Sequence, residues 1–199
     1  MKKVLLLLSK GFEMYEASAF TDVIGWNLVD GDKTTDIITC GIRNEVISAF
    51  NIKVSAELTI SEVNVDDFDA LAIPGGFEEY GFYEDAYQEV FLEIIREFHR
   101  KNKIIATICV AALPLGKSGI LKGKKATTYN MKNGLRQNML NEYDVNVLNE
   151  SVVMDDNIIT CWNPAAAMDV AFKLLELLTS KNQSDNIKII MGFDEKPVN

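Results

Sequence analysis

A chain of 199 residues, 48 % hydrophobic and 25 % charged, is long enough to bury a sizeable α/β core as a single domain over residues 1–199. Its formal net charge of −9 argues against a nucleic-acid partner, because a phosphate backbone is held by clustered Lys and Arg, and the short basic run Lys122 to Lys125 reads as a solvated turn. Three cysteines, Cys40, Cys109 and Cys161, without close spacing indicate neither a disulfide framework nor a metal site, and they fit a reducing cytoplasm.

The opening "MKKVLLLLSKGFE" imitates a secretory signal, but its apolar run, Val4 to Leu8, meets Lys10 and Glu13 before reaching the ~7 residues such a signal needs. It reads as a first strand. No other run approaches the ~18 apolar residues of a membrane span, so no membrane partner is expected. A helix over about Glu16 to Val29 follows, and then "TDIITC" as a second strand. Between Arg43 and Ile60 the alternation shortens to a β-excursion, after which "DALAIPGG" and "KIIATIC" are strands with the continuous apolar character of a parallel sheet buried on both faces. The stretch "EDAYQEVFLEIIREFHRKN" predicts one helix, with Tyr87, Val90, Phe91, Ile94, Ile95 and Phe98 on its apolar stripe. Downstream, "VVMDDNIITCW" predicts a hairpin turning at Asp155, Asp156 and Asn157, and a helix runs from about Ala165 with Val170, Leu174, Leu175 and Leu178 inward. Of residues 181–199, a C-terminal tail, only "IKIIMGF" is apolar enough to pack back, and "DEKPVN" is expected to fray.

Strand, helix, strand in this rhythm implies a doubly wound sheet, whose sites lie beyond the carboxyl ends of its strands. One strand ends in "SKGFEMYE", another in "PGGFEE", and another in Cys109. A cysteine on a strand-to-helix bend faces the backbone N–H groups of the next helix, which favours a thiolate below the ordinary thiol range. The residues alone leave two readings open, an activated nucleophile or an inert core thiol, since free cysteine is among the most buried residue types. Glu16 is likewise either an acid at a helix start or a proton donor to the sulfur, the latter only if it keeps its proton. Cys40 and Cys161 read as core thiols, and the acids of "FEEYGFYED" as a solvated loop and helix start.

Four stretches, "VLLLLSKGFEMYEAS", "DFDALAIPGG", "IIATICVAALPLGKSGILKGKKATTY" and "DDNIITCWNPAAAMDVAFKLLELL", taken in order, resemble the ThiJ/PfpI superfamily, in the branch of the Parkinson-disease-associated deglycase and its bacterial relatives. The resemblance implies a flavodoxin-like three-layer α/β sandwich with a mainly parallel central sheet, of the class I glutamine amidotransferase type. It makes Cys109 the reactive cysteine, Glu16 its carboxyl partner and the Gly75–Gly76 backbone an oxyanion-binding edge. It also implies a cytoplasmic homodimer with no cofactor. Where relatives carry histidine after the cysteine or near the next strand, this chain has Val110 and Tyr129, and its one histidine, His99, lies on the preceding helix. "CWNPAAA" replaces a smaller loop, placing Trp162 and Asn163 near the pocket, with Phe77 a further lining candidate. The implied function is a cysteine-dependent enzyme acting on small electrophilic carbonyls, glyoxalase- or deglycase-like and slow without a Cys–His pair. The alternative is a redox-responsive or chaperone-like protein whose Cys109 oxidises to a sulfinate without turnover.

Overall fold

The apolar run at the start becomes β1 (Lys2–Leu8), and Val4 to Leu8 are at most 1 % exposed because helices cover the sheet on both faces. A computed structural model describes residues 1–194. After β1 come α1 (Met14–Asp30), β2 (Thr35–Gly41), β3 (Glu45–Ile47), β4 (Lys53–Ser55), β5 (Leu58–Thr59) and β6 (Ala70–Ile73). Next are α2 (Phe82–Ala86), α3 (Glu89–Arg100), β7 (Ile104–Thr107), α4 (Ala112–Ser118), β8 (Lys125–Ala126) and α5 (Leu135–Asn141). β9 (Asn146–Val147), β10 (Val152–Asp155), β11 (Ile158–Cys161), α6 (Ala167–Leu178) and α7 (Lys181–Ile190) complete the described chain.

The main sheet runs β10-β11-β7-β6-β1-β2-β5, and every neighbouring pair is parallel except β10 with β11. β3 with β4 forms the predicted excursion, and β10 with β11 the predicted hairpin. α1, α6 and α7 pack together on one face of the sheet, and α3, α4 and α5 on the other. The chain turns from β1 outward to β2, then returns to the opposite side of β1 with β6 and β7. Loops leaving β1 and β6 therefore diverge, and a crevice opens at the carboxyl ends of β1, β6 and β7.

Two elements differ from the sequence reading. The single long helix breaks into α2 and α3 at Tyr87 and Gln88, where Gln88 adopts an extended conformation. The break rotates Val90 out to 50 % exposure, and Leu92 joins Phe91, Ile94, Ile95 and Phe98 on the buried stripe. The stretch after Ser180, expected as a tail of which only "IKIIMGF" packs back, is helical from Lys181. Ser180 Oγ caps it by accepting from Gln183 N–H at 3.2 Å, and buried Ser184 donates to Phe172 O at 2.8 Å. Gln183 Nε2 bonds the buried Asn27 Oδ1 at 2.6 Å, so hydrogen bonds, together with the fully buried Ile187, fasten α7 to its neighbours. Residues 195–199, most of the segment expected to fray, lie outside the described residues.

Asp85, read from sequence as solvated, is 1 % exposed. Its carboxylate accepts both Arg43 Nη atoms, at 2.9 and 2.8 Å, and the Lys10 N–H at 2.9 Å, which fixes the loop leaving β1. Arg43→Ala leaves this buried carboxylate without its cation, and urea melts are expected to show a loss of about 3 kcal/mol.

Candidate active site

The carboxyl ends of β1, β6 and β7 deliver three pieces to one place. β7 ends at Thr107, and Cys109 takes φ +58° before the chain winds into α4, the sharp bend expected of a nucleophile on an elbow. Thr128 Oγ1 donates to Cys109 O at 2.9 Å and holds the bend in place. From β1, α1 begins with Glu16 in its first turn, fully buried. From β6 come Gly75 and Gly76.

Gly75 N–H donates to Glu16 Oε2 at 2.6 Å. The other carboxyl oxygen, Oε1, is buried without a hydrogen-bond partner, and the Cys109 thiol and the Glu13 carboxyl lie beside the Glu16 carboxyl. Burial, reinforced by Glu13, pushes the Glu16 carboxyl up to about 8. Glu16 therefore carries a proton at neutral pH, as the donor reading requires. Burial likewise pushes the Cys109 thiol well above its ordinary value, with Glu16 next in effect and the Val110 N–H pulling it back. The expectation of a thiol lowered by the elbow is thus reversed: the sulfur sits in a residue only 6 % exposed, where desolvation outweighs the backbone donor. Cys40 and Cys161 are core thiols, each fully buried and each pushed up to about 12 by that burial.

Gly75 is required by close approach. A Cβ there would lie 2.8 Å from both Glu16 Oε2 and Ile108 O, and 3.1 Å from Val110 N. Gly75→Ala is expected to cost about 2 to 3 kcal/mol in a urea melt and to change Cys109 alkylation, because the added carbon pushes Glu16 and the elbow apart. The oxyanion edge is narrower than expected: the Gly75 N–H is spent on Glu16. Gly76 bridges Phe12 through Phe77 N–H to Gly11 O and Glu13 N–H to Gly75 O, a pattern that does not use its own N–H.

Cys109 opens onto a cavity of about 380 Å³. Gly76, Phe77, Val110 and Tyr129 line it as the sequence suggested. Trp162 does not; its backbone N–H bonds Ser151 O at 3.1 Å on the hairpin side, and Pro164 supplies the wall instead. Sequence reasoning missed Glu13, Glu78, Glu79, Lys132, Leu135 and Arg136. Glu13 could have been found, since it stands three residues before Glu16 at a helix start; the others come together only through the fold. His99 is on the last turn of α3, among Lys124 and Asp156 rather than the cavity residues, and burial lowers its pKa. Among the described residues no cluster of His, Cys, Asp and Glu could hold a metal ion, and no helix is long and apolar enough to cross a membrane.

The sequence profile of the DJ-1/PfpI family matches residues 2–177. An uncharacterized protein of Methanocaldococcus jannaschii is 31 % identical over 186 residues, covering 91 % of this chain and 84 % of its own. The Pyrococcus furiosus protein named deglycase PfpI is 38 % identical over 113 residues, 56 % of this chain and 63 % of its own. In fold, the chain matches the crystal structure of Drosophila melanogaster DJ-1beta with a TM-score of 0.83 at 23 % identity, over 96 % of this chain and 97 % of the other. A ThiJ/PfpI family protein of Pseudomonas syringae matches with a TM-score of 0.84 at 21 % identity, over 100 % of this chain and 77 % of the other. The architecture is the flavodoxin-like sandwich of those structures, and with the profile spanning all but the last part of the sequence, the chain belongs to the DJ-1/PfpI family.

Proposed function

We propose that this protein is a cysteine-dependent enzyme that converts small 2-oxoaldehydes, free or as adducts, into 2-hydroxy acids. The observation that carries the reading is the pairing of Cys109, on its left-handed elbow at the cavity wall, with a buried Glu16 that keeps its proton. Names of relatives that include deglycase support the same class of substrate. In the proposed reaction the Cys109 sulfur attacks the aldehyde carbon, the carbonyl electron pair moves to oxygen, and the thiol proton ends on that oxygen through the Glu16 carboxyl. Glu13, which lines the cavity, takes the C–H proton of the hemithioacetal and returns it to the neighbouring carbon, while the Glu16 carboxyl passes the hydroxyl proton from the first oxygen to the ketone oxygen, giving a 2-hydroxy thioester. One water hydrolyses the thioester, releasing the acid and restoring the thiol. We further infer a homodimer in the cytoplasm; exposed Phe50 and Ile52, at 63 % and 50 %, supply apolar surface suited to a second copy.

The test is methylglyoxal turnover followed by product analysis. Lactate formed by the wild type and absent with Cys109→Ser is expected; lactate formed equally by both contradicts the reading. Lack of an imidazole in the cavity favours a second reading, in which peroxide oxidises Cys109 to a sulfinate held by protonated Glu16. Clean sulfinate by intact mass, with no turnover, selects it.

Tyr129 lines the cavity where an imidazole would be better matched to neutral pH. Tyr129→His is expected to raise kcat/KM about 10- to 100-fold, with a new inflection near pH ~6.5 in the rate profile.

A further inference from the structure

Two cations reach the Cys109 cavity, and their situations differ. Arg136 is held on every side: Nη2 bonds Glu78 Oε2 at 2.6 Å, Nη1 lies 3.2 Å from Met139 Sδ, and the guanidinium stands 5.3 Å over the Tyr83 ring. Its charge is matched by Glu78. Lys132 is exposed, lines the same cavity, and forms no ion pair among the described residues. It belongs to a run of three left-handed residues, Lys132, Asn133 and Gly134, with φ of 54°, 58° and 69°, which turns the chain between Tyr129 and α5.

None of the lining acids forms an ion pair with Lys132. Glu78 is spent on Arg136 and Glu16 keeps its proton at neutral pH, so the acids left to face Lys132 are Glu13, which stands beside Glu16, and the exposed Glu79. The cavity is also larger than a three-carbon aldehyde needs, with the liquid volume of about a dozen waters. Val110, Leu135 and Pro164 supply apolar wall to the same cavity.

We propose that Lys132, backed by Arg136, makes the outer part of the cavity an anion subsite, and that the preferred substrate is a 2-oxoaldehyde bearing one carboxylate at the end away from the reacting carbonyl. A single carboxylate fits better than a phosphate dianion, because one cation is unmatched and the second is already neutralised. The subsite deepens the carbonyl-enzyme reading and rests on it for the identity of the reacting end. The carboxylate takes no part in the chemistry: 4,5-dioxopentanoate gains one water and becomes 2-hydroxyglutarate, as methylglyoxal becomes lactate. Its role is to orient the aldehyde carbon toward the sulfur.

The experiment has two arms. In the first, kcat/KM is measured for 4,5-dioxopentanoate and for methylglyoxal with wild type, Lys132→Glu and Lys122→Glu. The wild type is expected to favour the carboxylate substrate about tenfold, and Lys132→Glu to abolish or invert that ratio. Lys122, paired with Asp144 at the surface away from the cavity, carries the same change in net charge and should leave the ratio unaltered. The second arm needs no turnover: Cys109 is alkylated with iodoacetate and with iodoacetamide, reagents of similar size that differ in charge. The iodoacetate-to-iodoacetamide rate ratio is expected to fall about tenfold in Lys132→Glu, and salt should compress the difference. If neither aldehyde is turned over but the alkylation ratio responds to Lys132, the reaction is wrong and the anion subsite stands. If the alkylation ratio is the same in wild type and Lys132→Glu, the subsite is overturned, whatever the turnover.

Discussion

Replacing Glu16 by glutamine is expected to make the protein more stable at pH 8.5, by on the order of 5 kcal/mol, while leaving stability near pH 4.5 almost unchanged. The sign follows from the proton. In the unfolded chain Glu16 has an ordinary pKa near 4.5, and in the folded protein burial and Glu13 push it up to about 8. Between these values the unfolded chain releases a proton that the folded protein keeps. Stability is therefore full below about 4.5, falls as pH rises toward about 8, and is flat beyond. Glutamine cannot ionise and removes this slope, while Glu13, raised in the same direction, contributes its own smaller slope to both proteins. Urea melts of wild type and Glu16→Gln across pH 4.5 to 8.5 check it; parallel curves would show that Glu16 is an ordinary helix-start acid.

A second large effect is expected in the reactivity of Cys109. With the thiol pushed up by burial and by Glu16, iodoacetamide should label it slowly at neutral pH and increasingly fast above it. Glu16→Gln removes the charge that Glu16 gains above about pH 8 but keeps a side chain of the same length that can donate. Its alkylation profile should therefore move to lower pH, making the reaction above pH 8 faster than in the wild type. Glu16→Asp, whose shorter arm draws back from the sulfur, should react more slowly than Glu16→Gln. Cys40 and Cys161, fully buried and not among the cavity-lining residues, should stay unlabelled in the native protein throughout. kcat/KM is expected to rise from pH 7 toward about 8 and to fall beyond it, as Glu16 loses the proton that the reaction uses.

The layers of the fold are legible in the sequence because period and composition act locally. Val4 to Leu8 could only be a strand buried on both faces, and the ends of β1, β6 and β7 had to meet once the sheet was parallel. Cys109 and Glu16 are visible as residues, and their resemblance to a known pattern joins them. What the sequence hides depends on contacts distant along the chain. Asp85 looks like one acid among several until Arg43, 42 residues earlier, is placed on its carboxylate. α7 looks like a polar tail until Gln183 meets Asn27, 156 residues away. The direction in which the thiol's pKa moves is hidden for the same reason: a bend and its N–H groups are local, whereas burial depends on everything packed around the sulfur. Lys132 and Arg136 lie in a stretch with little pattern, and only the turn after Tyr129 brings them to the cavity.

In the proposed reaction Cys109 forms the covalent bond to substrate. Protein quenched in acid during methylglyoxal turnover, digested and examined by mass spectrometry, tests it most directly. An adduct on the Cys109 peptide that appears within the turnover time, decays as substrate is exhausted and is absent from the Cys40 and Cys161 peptides is the predicted result. Turnover that proceeds undiminished in Cys109→Ala, with no adduct on the wild-type cysteine, would contradict it.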